Sequence, residues 1–378
     1  MITQTLALFL DAYRELNSKK LFWITLLLSG MCIGGFALMG VSDRGLTLLS
    51  LEFDVPMPRF FYNWIFSFFI IGIWLSWGAV LLALVSTGGI FPDLIAGGAV
   101  DLYLSKPISR LRLFLTKYLT GLAFVLLQSA VFAAVAYLVL GLRGKHWMPS
   151  LWMLVPLVVC LFSYLFSICV LLGVVTRSAI AAILVTVLVW LFLFLAAKAE
   201  NGLLTARLIA EHETRAHEAR VEAIGRQIAD VRAEGSITNS FGVHAALLRQ
   251  RQDKARAAAE RSAATASKLR TAHRIAFAVV STLPKPGPTI DLFDRRLFSD
   301  ELMSEIHDQQ GDPPPMFSSG DNQDADERDA ERQAFREAGQ DIQQQVRHRS
   351  ATWVIGTSLA FEAVVLLLAA WVFCRRDY

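Results

Sequence analysis

Six long, almost uncharged apolar runs constrain this chain more than any other feature of its sequence. A bilayer core of about 30 Å is crossed by roughly 20 helical residues, because each residue of an α-helix adds about 1.5 Å. Runs of that size occupy residues 21–42, 60–92, 118–142, 147–176, 178–197 and 351–374. Buried helices of a soluble protein would carry polar faces, which these runs almost lack. We therefore predict an all-α membrane protein with six transmembrane helices.

The composition supports a membrane protein and excludes some other classes. Only 18% of the residues are charged and 54% are hydrophobic, whereas a soluble domain carries about 25% charged residues. A net charge of +3 is too small for a generally basic, nucleic-acid-binding surface. The polar stretch 199–350 has no cysteine and therefore no disulfide framework. The four cysteines lie in or beside apolar runs, at Cys32, Cys160, Cys169 and Cys374.

Lysine and arginine residues beside the spans predict the orientation, because cytoplasmic loops are enriched in them. With six spans, one side receives the N-terminal segment, the loop after span two, the turn at Arg177 and the C-terminal tail. We predict that this side is the cytoplasm and that the protein lies in the inner (plasma) membrane. Arg143 and Lys145 fall on the opposite side and oppose the assignment. The mixture of acidic and basic residues before the first run is not typical of a cleaved signal peptide, so the first span is expected to be retained; these residues are Asp11, Arg14, Glu15, Lys19 and Lys20.

The polar stretch between spans five and six is predicted to be an external helical insertion. It divides the chain into residues 1–198, 199–350 and 351–378. Steps of four and three between apolar or small residues predict two coiled-coil arms, broken at 234–236 and 239–242, that form a hairpin. A single long helix or a loosely packed bundle is the alternative. The expected seams are Thr214, His217, Val221, Ile224, Ile228 and Val231, and then Leu248, Ala255, Ala258, Ser262, Thr265, Leu269, Ala272, Ala276 and Val279.

The segments after the hairpin differ in character. Residues 283–288 contain three prolines and predict a stiff connector that cannot continue a helix. Residues 290–302 form an amphipathic stretch that either lies on the outer membrane interface or packs against the hairpin base. Residues 311–329 are acidic and proline-rich, which predicts a mobile loop. A polar helix from about Asp326 is expected to lead into the last span.

Motifs of catalysis or cofactor binding are not found in the sequence. It contains no phosphate-binding G-x-x-x-x-G-K-[ST] motif and no G-x-S-x-G nucleophile elbow. His212, Glu213 and His217 have the spacing H-E-x-x-x-H, which does not place both histidines on one zinc-binding face. We therefore predict that the chain is not an enzyme and has no cofactor or metal site.

Glu362 is the acidic residue that interrupts the sixth apolar run. A carboxylate at that depth is costly and usually faces a partner or water. It is a candidate substrate or coupling contact, with a purely structural polar pair as the alternative. Other polar residues within the runs are expected to hold helices together. They are Asn63, Gln128, Ser129, Ser163, Tyr164 and Thr186.

The segment 90–110, between spans two and three, is predicted to be a cytoplasmic docking element. It combines an amphipathic piece with a proline-stopped turn and basic residues. The alternative is that its basic residues only anchor at lipid headgroups. The candidate docking residues are Asp93, Asp101, Ser105, Lys106, Pro107, Ser109 and Arg110.

The string D-L-Y-L-S-K-P-I-S-R at 101–110, followed by Lys117 and Tyr118, resembles the type-2 family of ABC-transporter permeases. The similar branch is that of the multicopper-enzyme-maturation permeases. The resemblance extends to the amphipathic segment 9–20 and to the tail 375–377, and so covers most of the membrane part. The insertion of roughly 150 residues departs from the short loops of drug and polysaccharide exporters in that family.

The resemblance implies a permease that forms a homodimer or heterodimer and binds two ATPase subunits at its cytoplasmic face. ATP hydrolysis would occur on those partners and drive substrate export or extrusion. A periplasmic partner is expected to bind through residues 199–350. The alternative class is a non-transport membrane anchor or sensor whose external coiled-coil hairpin binds a partner.

Overall fold

A computed structural model describes residues 20–42, 45–49, 51–54, 58–96, 109–145, 147–233, 239–297, 341 and 350–375. The chain divides into two compact units. The membrane unit comprises Met1–Phe194, Thr282–Gly311 and Ala351–Tyr378. The insertion unit comprises Leu195–Ser281 and Asp312–Ser350.

The described part of the chain is mainly helical. Helix α1 is followed by a small sheet, and α2 continues through a π-helical segment into α3. A 3-10 turn, Pro149–Met153, precedes α6. The helices are α1 Lys20–Ala37, α2 Pro58–Ile65 with the π-helical segment Phe66–Ala79, α3 Val80–Thr87, α4 Ile90–Ala96, α5 Arg110–Arg143, α6 Leu154–Thr176, α7 Ala179–Ala233, α8 Asn239–Thr282, α9 Pro286–Leu297 and α10 Ala351–Arg375.

Five helices within the described residues are long and apolar enough to cross a membrane. The protein is therefore a multi-pass helical membrane protein. The first apolar helix is shorter, Trp23–Ala37, so the predicted count of six is not reached on length alone. The five are Phe61–Ile95, Arg110–Arg143, Pro149–Thr176, Ala179–Arg232 and Ala351–Arg375.

The first predicted span was drawn too long at its end. Helix α1 ends at Ala37, and a strand begins at Met39. The last carbonyl groups of a helix lack partners within the helix. The Arg143 side chain supplies hydrogen-bond donors for these carbonyl groups. It donates to the carbonyl oxygens of Ala37 at 2.9 Å, Leu38 at 3.1 Å and Met39 at 3.3 Å. An arginine from the end of α5 thus caps α1.

A three-stranded antiparallel sheet in the order β1-β2-β3 follows α1. Strand β1 is Met39–Ser42, β2 is Gly45–Leu48 and β3 is Leu51–Phe53. Gly40 pairs with Thr47, and a Cβ added at Gly40 would lie only 2.9 Å from the Thr47 hydroxyl oxygen. The sequence predicted this region only as an external loop, so the sheet is a correction to an entirely helical fold.

Helix α6 is the most enclosed element of the membrane unit, and its residues 161–170 are all buried. Helices α5, α9 and α10 pack against it. The turn at 88–89 separates α3 from the short helix α4, as the sequence predicted for the end of span two. Phe91 and Leu94 of α4 are buried because they face the spans rather than solvent.

Contacts within the membrane unit group the helix ends. A Cβ added at Gly173, near the end of α6, would lie 3.1 Å from Pro92 of α4. Arg110 at the start of α5 donates to the carbonyl oxygen of Cys374 at the end of α10, at 3.3 Å. Arg177 ends α6 in the left-handed conformation, with a φ of 55°. The end of α6 with α4, the Arg177 turn, the start of α5 and the end of α10 therefore lie at one end of the membrane unit. Helix α5 runs from Arg110 at this end to Arg143 at the other, where Arg143 caps α1 beside the sheet.

Helix α9 contains the first part of the amphipathic stretch predicted at residues 290–302, whose residues 298–302 lie outside the described residues. It begins at Pro286, where a missing N–H costs nothing because the first turn has no partner for it. It packs against α6, α10 and the π-helical segment. Ile290 and Leu292 are buried in the core of the membrane unit. These two residues of the amphipathic stretch therefore pack inside the membrane unit rather than on its outer surface.

Within the insertion unit, α7 and α8 run antiparallel to each other. The contacting residues follow each other in opposite directions along the two helices: the pairs are Glu200 with His273, Glu211 with Arg270, and Thr214 with Ser262. The six seam positions predicted for α7 are all half-buried, whereas residues 222, 223, 226 and 227 are exposed.

The seam predicted for α8 needs correction. Buried or half-buried positions follow one heptad register, at 248, 252, 255, 259, 262, 266, 269, 273, 276 and 280. Thr265, Ala272 and Val279 were predicted one residue too early and are exposed. Residues 239–242 begin α8 rather than break it. The predicted break at 234–236, the loop 311–329 and the polar helix lie outside the described residues, apart from Asp341.

Candidate functional site: a buried carboxyl group between three helices

The side chain of Glu362 lies inside the membrane unit. It is on α10, and only 7% of its surface is exposed. Ser358 precedes it by one helical turn on the same buried face of α10. Burying a carboxyl group in an apolar core is costly unless hydrogen bonds replace those it made with water.

Tyr118 of α5 provides the first hydrogen bond. Its hydroxyl group donates to Oε1 of Glu362 at 2.7 Å. The ring stacks on Phe166 of α6, with the ring centres 5.3 Å apart. A Cβ added at Gly121 would lie 2.6 Å from Phe166, so the glycine leaves room for this aromatic pair. The stacked ring fixes the position from which the hydroxyl group reaches the carboxyl group.

Ser163 of α6 provides the second contact. Its Oγ lies 2.7 Å from Oε2 of Glu362 and 2.8 Å from the carbonyl oxygen of Cys160. Tyr118 and Ser163 are both buried, at 4% exposure each. One carboxyl group therefore joins α5, α6 and α10 by polar contacts in the middle of an apolar core.

Further polar groups continue from this site along α10. The Tyr164 hydroxyl faces Ser358 and Thr289, although neither meets the geometry of a hydrogen bond with it. The Ser358 hydroxyl accepts a hydrogen bond from the backbone N–H of Lys285 at 3.0 Å. Lys285 is almost fully buried, and its Nζ donates to the Thr357 hydroxyl at 2.7 Å. The connector after the insertion thus reaches the same helix as Glu362.

The docking residues predicted from the sequence are partly described. Asp93 is exposed on α4, and the Ser109 hydroxyl caps α5 by accepting from the backbone N–H of Arg112 at 3.3 Å. Arg110 is half-buried beside the end of α10. Arg110 and Tyr118 are about 12 Å apart along α5, at about 1.5 Å per residue. Asp101, Ser105, Lys106 and Pro107 lie outside the described residues.

A second polar feature is a small cavity between α1, the π-helical segment with α3, and α5. Gln128 lines it, and the Nε2 of Gln128 has no hydrogen-bond partner among the described residues. Ser29, also in the lining, accepts from the indole N–H of Trp74 at 3.3 Å. The rest of the lining is mainly apolar and contains no ionisable side chain, so this cavity offers less chemistry than the Glu362 site.

The part of the chain that the structure describes contains no cluster of three or more potential metal ligands. The Nε2 of His212 instead lies 2.9 Å from Oδ2 of Asp341. The sequence singled out Glu362, Ser163 and Tyr164 separately, but not their meeting with Tyr118. The pair Lys117 and Tyr118 stood in the family-like string, and only the packing of three helices brings Tyr118 to the carboxyl group.

No protein-family model, no curated protein and no solved structure matches this chain.

Proposed function

We propose that this chain is the membrane-spanning permease subunit of an ABC transporter, which couples ATP hydrolysis on a separate ATPase subunit to substrate export or extrusion. The observation that carries the proposal is the string at residues 101–110, which resembles the docking region of type-2 permeases. Its flanks agree with that role, because α4 and α5 stand on either side of it in the chain. Five spanning-type helices and a sequence without a P-loop agree with a permease that depends on a partner for ATP.

The flanks of the docking segment are mechanically connected to the spans. Phe91 of α4 packs against Phe114 of α5, with ring centres 5.0 Å apart, and edge-on against Phe373 of α10 at 6.3 Å. Arg110 adds the hydrogen bond to α10. A force applied to residues 90–110 by an ATPase would therefore act on α5 and α10, which both contribute to the Glu362 site. In this proposal Glu362 is a substrate or coupling contact.

The proposal includes a topology and an assembly. Helix α1 also crosses the membrane and brings the number of spans to six. The end of the membrane unit that carries α4 and Arg177 faces the cytoplasm, as do both termini, and the membrane is the inner membrane. Two permease chains form the dimer that binds two ATPases. The insertion is a coiled-coil hairpin on the external side that binds a periplasmic partner. The antiparallel pairing of α7 and α8, with its heptad of buried positions, supports the hairpin.

Purification of the tagged full chain from its native membranes tests the proposal. We expect an ATPase subunit with P-loop and signature motifs to co-purify and to hydrolyse ATP. Asp101→Lys and Arg110→Glu should lower the amount of ATPase retained without lowering the amount of chain in the membrane. Arg226→Glu is the matched control, because Arg226 is 73% exposed on the insertion, far along the chain from the docking segment.

The result also decides between the two classes of function. If both charge reversals leave the complex and its ATP turnover intact, the docking assignment of residues 90–110 is wrong. If no ATPase co-purifies, the permease assignment is wrong. The remaining class is then a membrane anchor or sensor that binds an external partner through the insertion.

A further inference from the structure

The hydroxyl group of Ser163 has one hydrogen and two acceptors within reach. Its Oγ lies 2.7 Å from Oε2 of Glu362 and 2.8 Å from the carbonyl oxygen of Cys160. Both distances are those of good O–H···O hydrogen bonds. A serine hydroxyl donates only one hydrogen bond but accepts two. A single hydrogen shared between both acceptors would leave each hydrogen bond bent and weak. Two good hydrogen bonds therefore need a second hydrogen from the other side of one contact, and the Cys160 carbonyl has none to give.

The other hydroxyl groups nearby do not supply that hydrogen. Tyr118 uses its single hydrogen for Oε1 of Glu362 at 2.7 Å, and the carbonyl oxygen of Ser163 is more distant from it at 3.4 Å. The Tyr164 hydroxyl has no hydrogen-bond partner within the described part of the chain. An ionised Glu362 carboxylate would bring no hydrogen either. Two oxygens at 2.7 Å without a hydrogen between them repel each other.

We infer that Glu362 is a proton-binding site and that it holds its proton on Oε2 as a neutral carboxylic acid. A protonated carboxyl group has one O–H donor. With it every contact is satisfied: Tyr118 donates to Glu362, Glu362 donates to Ser163, and Ser163 donates to the carbonyl oxygen of Cys160. The ligand of this site is a proton, and no second ion is required.

The surroundings of Glu362 favour the neutral form. The titratable groups that face it are Tyr118 from α5 and Cys160 and Tyr164 from α6, all of which are uncharged when protonated. Within the described residues, its hydrogen-bond partners are the hydroxyl groups of Tyr118 and Ser163. An apolar core that offers only hydroxyl groups stabilises an acid better than a carboxylate.

The proton connects α6 to α10. Without it, the single hydrogen of Ser163 can serve either Glu362 or the Cys160 carbonyl group, and the chain of hydrogen bonds is broken at one point. This inference rests on the positions of five oxygen atoms and is independent of the proposed transport function. It gives α10 a protonation-dependent contact to α6 whatever the function of the chain.

Infrared spectroscopy of the full chain in lipid nanodiscs tests the inference. A neutral carboxylic acid has a C=O stretching band that is well separated from the bands of a carboxylate. We expect this band at pH 7 in the unmodified protein, its loss in Glu362→Gln and its retention in Glu52→Gln, since Glu52 lies exposed on β3. Absence of the band at pH 7, or its persistence in Glu362→Gln, would overturn the assignment.

A second variant tests the direction of the hydrogen bond and does not depend on replacing Glu362. In Ser163→Ala the carboxylic acid keeps its proton but loses the acceptor, so the C=O band should remain and shift in frequency. Ser167→Ala is the matched control, because Ser167 is equally buried on α6 and donates to the carbonyl oxygen of Tyr164. A band that is unchanged in Ser163→Ala, or shifted equally in both variants, would exclude the proposed hydrogen-bond chain.

Discussion

Single hydroxyl groups hold α5, α6 and α10 together around Glu362, and their removal has a predictable cost. Ser163→Ala removes the contact to Oε2 of Glu362 and leaves a buried polar group unsatisfied. We expect a loss of about 1 to 2 kcal/mol in the free energy of unfolding relative to Ser167→Ala. Titration of the purified protein with a denaturing detergent in mixed micelles measures the difference. Equal stability of the two variants would show that the Glu362 contact contributes nothing.

Glu211 predicts a pH-dependent stability of the insertion unit. Burial raises the pKa of Glu211, but hydrogen bonds from Arg207 and Arg270 outweigh it and hold the pKa below its usual range. A depressed folded-state pKa stabilises the fold above the unfolded pKa, about 4.3 for glutamate, and this contribution is lost as pH falls through the folded value. Glu211→Gln should therefore be less stable than the unmodified protein at pH 7, and this difference in stability should narrow as the pH falls to 3.

Thermal unfolding of the full chain followed by circular dichroism measures this gap at both pH values. Glu222→Gln is the control, because Glu222 also pairs with an arginine but is 71% exposed. Exposed ion pairs of this kind contribute little. A gap for Glu211→Gln that stays constant between pH 7 and pH 3, or a gap of the same size for Glu222→Gln, would contradict the prediction.

At the residue level, the sequence predicted which polar side chains are unusual but not which ones meet. Glu362 was recognisable because an acidic residue in an apolar run is costly wherever its neighbours lie. Its partners depend on the rotation and register of α5 and α6, which are set by packing such as the stack of Tyr118 on Phe166. A single sequence carries no direct record of that packing, and Lys285 was missed for the same reason.

Among the elements, the paired helices of the insertion depend on their half-buried seam. Ile224→Asp together with Ile228→Asp places two charges on that seam, and each should cost about 1 to 3 kcal/mol. Circular dichroism of the fragment 199–350 should show reduced helicity. Ala223→Asp with Gln227→Asp is the control pair, because both positions are exposed on the same helix. Equal helicity of the two double variants would contradict a packed seam on this face.

Predictions for the helices of the insertion succeeded where the hydrophobic heptad pattern was strong and failed where it was weak. The seam of α7 contains valines and isoleucines, whose spacing identifies one face. In the second half of α8 the buried positions are Ala266, His273 and Val280. A small residue, a polar residue and one of two adjacent valines do not identify a face by hydrophobicity, so the predicted register slipped by one residue at Thr265, Ala272 and Val279. The three short strands at residues 39–53 pair with their neighbours in the sequence. They were missed because the first strand lies in the apolar run that was assigned to span one, and because the Arg143 cap that ends α1 comes from a residue distant in the sequence.

For the whole molecule, apolar run length predicted the membrane class, because bilayer thickness alone fixes it. The grouping of helix ends also agrees with the sequence, since the start of α5, the Arg177 turn and the end of α10 were all placed on one side. The position of α9 inside the membrane unit could not be predicted. Its amphipathic pattern suits a bilayer surface as well as a protein interior, and only tertiary contacts decide between the two.

The grouping of helix ends makes a prediction about sidedness. Asp93 on α4 and Glu52 on β3 are both exposed and lie at opposite ends of the membrane unit. In a variant whose four cysteines are replaced, Glu52→Cys should react with a membrane-impermeant maleimide on intact cells. Asp93→Cys should react only after the membrane is opened, because cytoplasmic ends are inaccessible from outside.

Arg226→Cys extends the same labelling test to the insertion, which is proposed to be external. It should react on intact cells as Glu52→Cys does, because a domain of its size is translocated largely regardless of its own charge. Labelling of Asp93→Cys on intact cells with protection of Glu52→Cys would reverse the orientation. Labelling of both from the same side would show that the two ends do not lie across a membrane and that the span count is wrong.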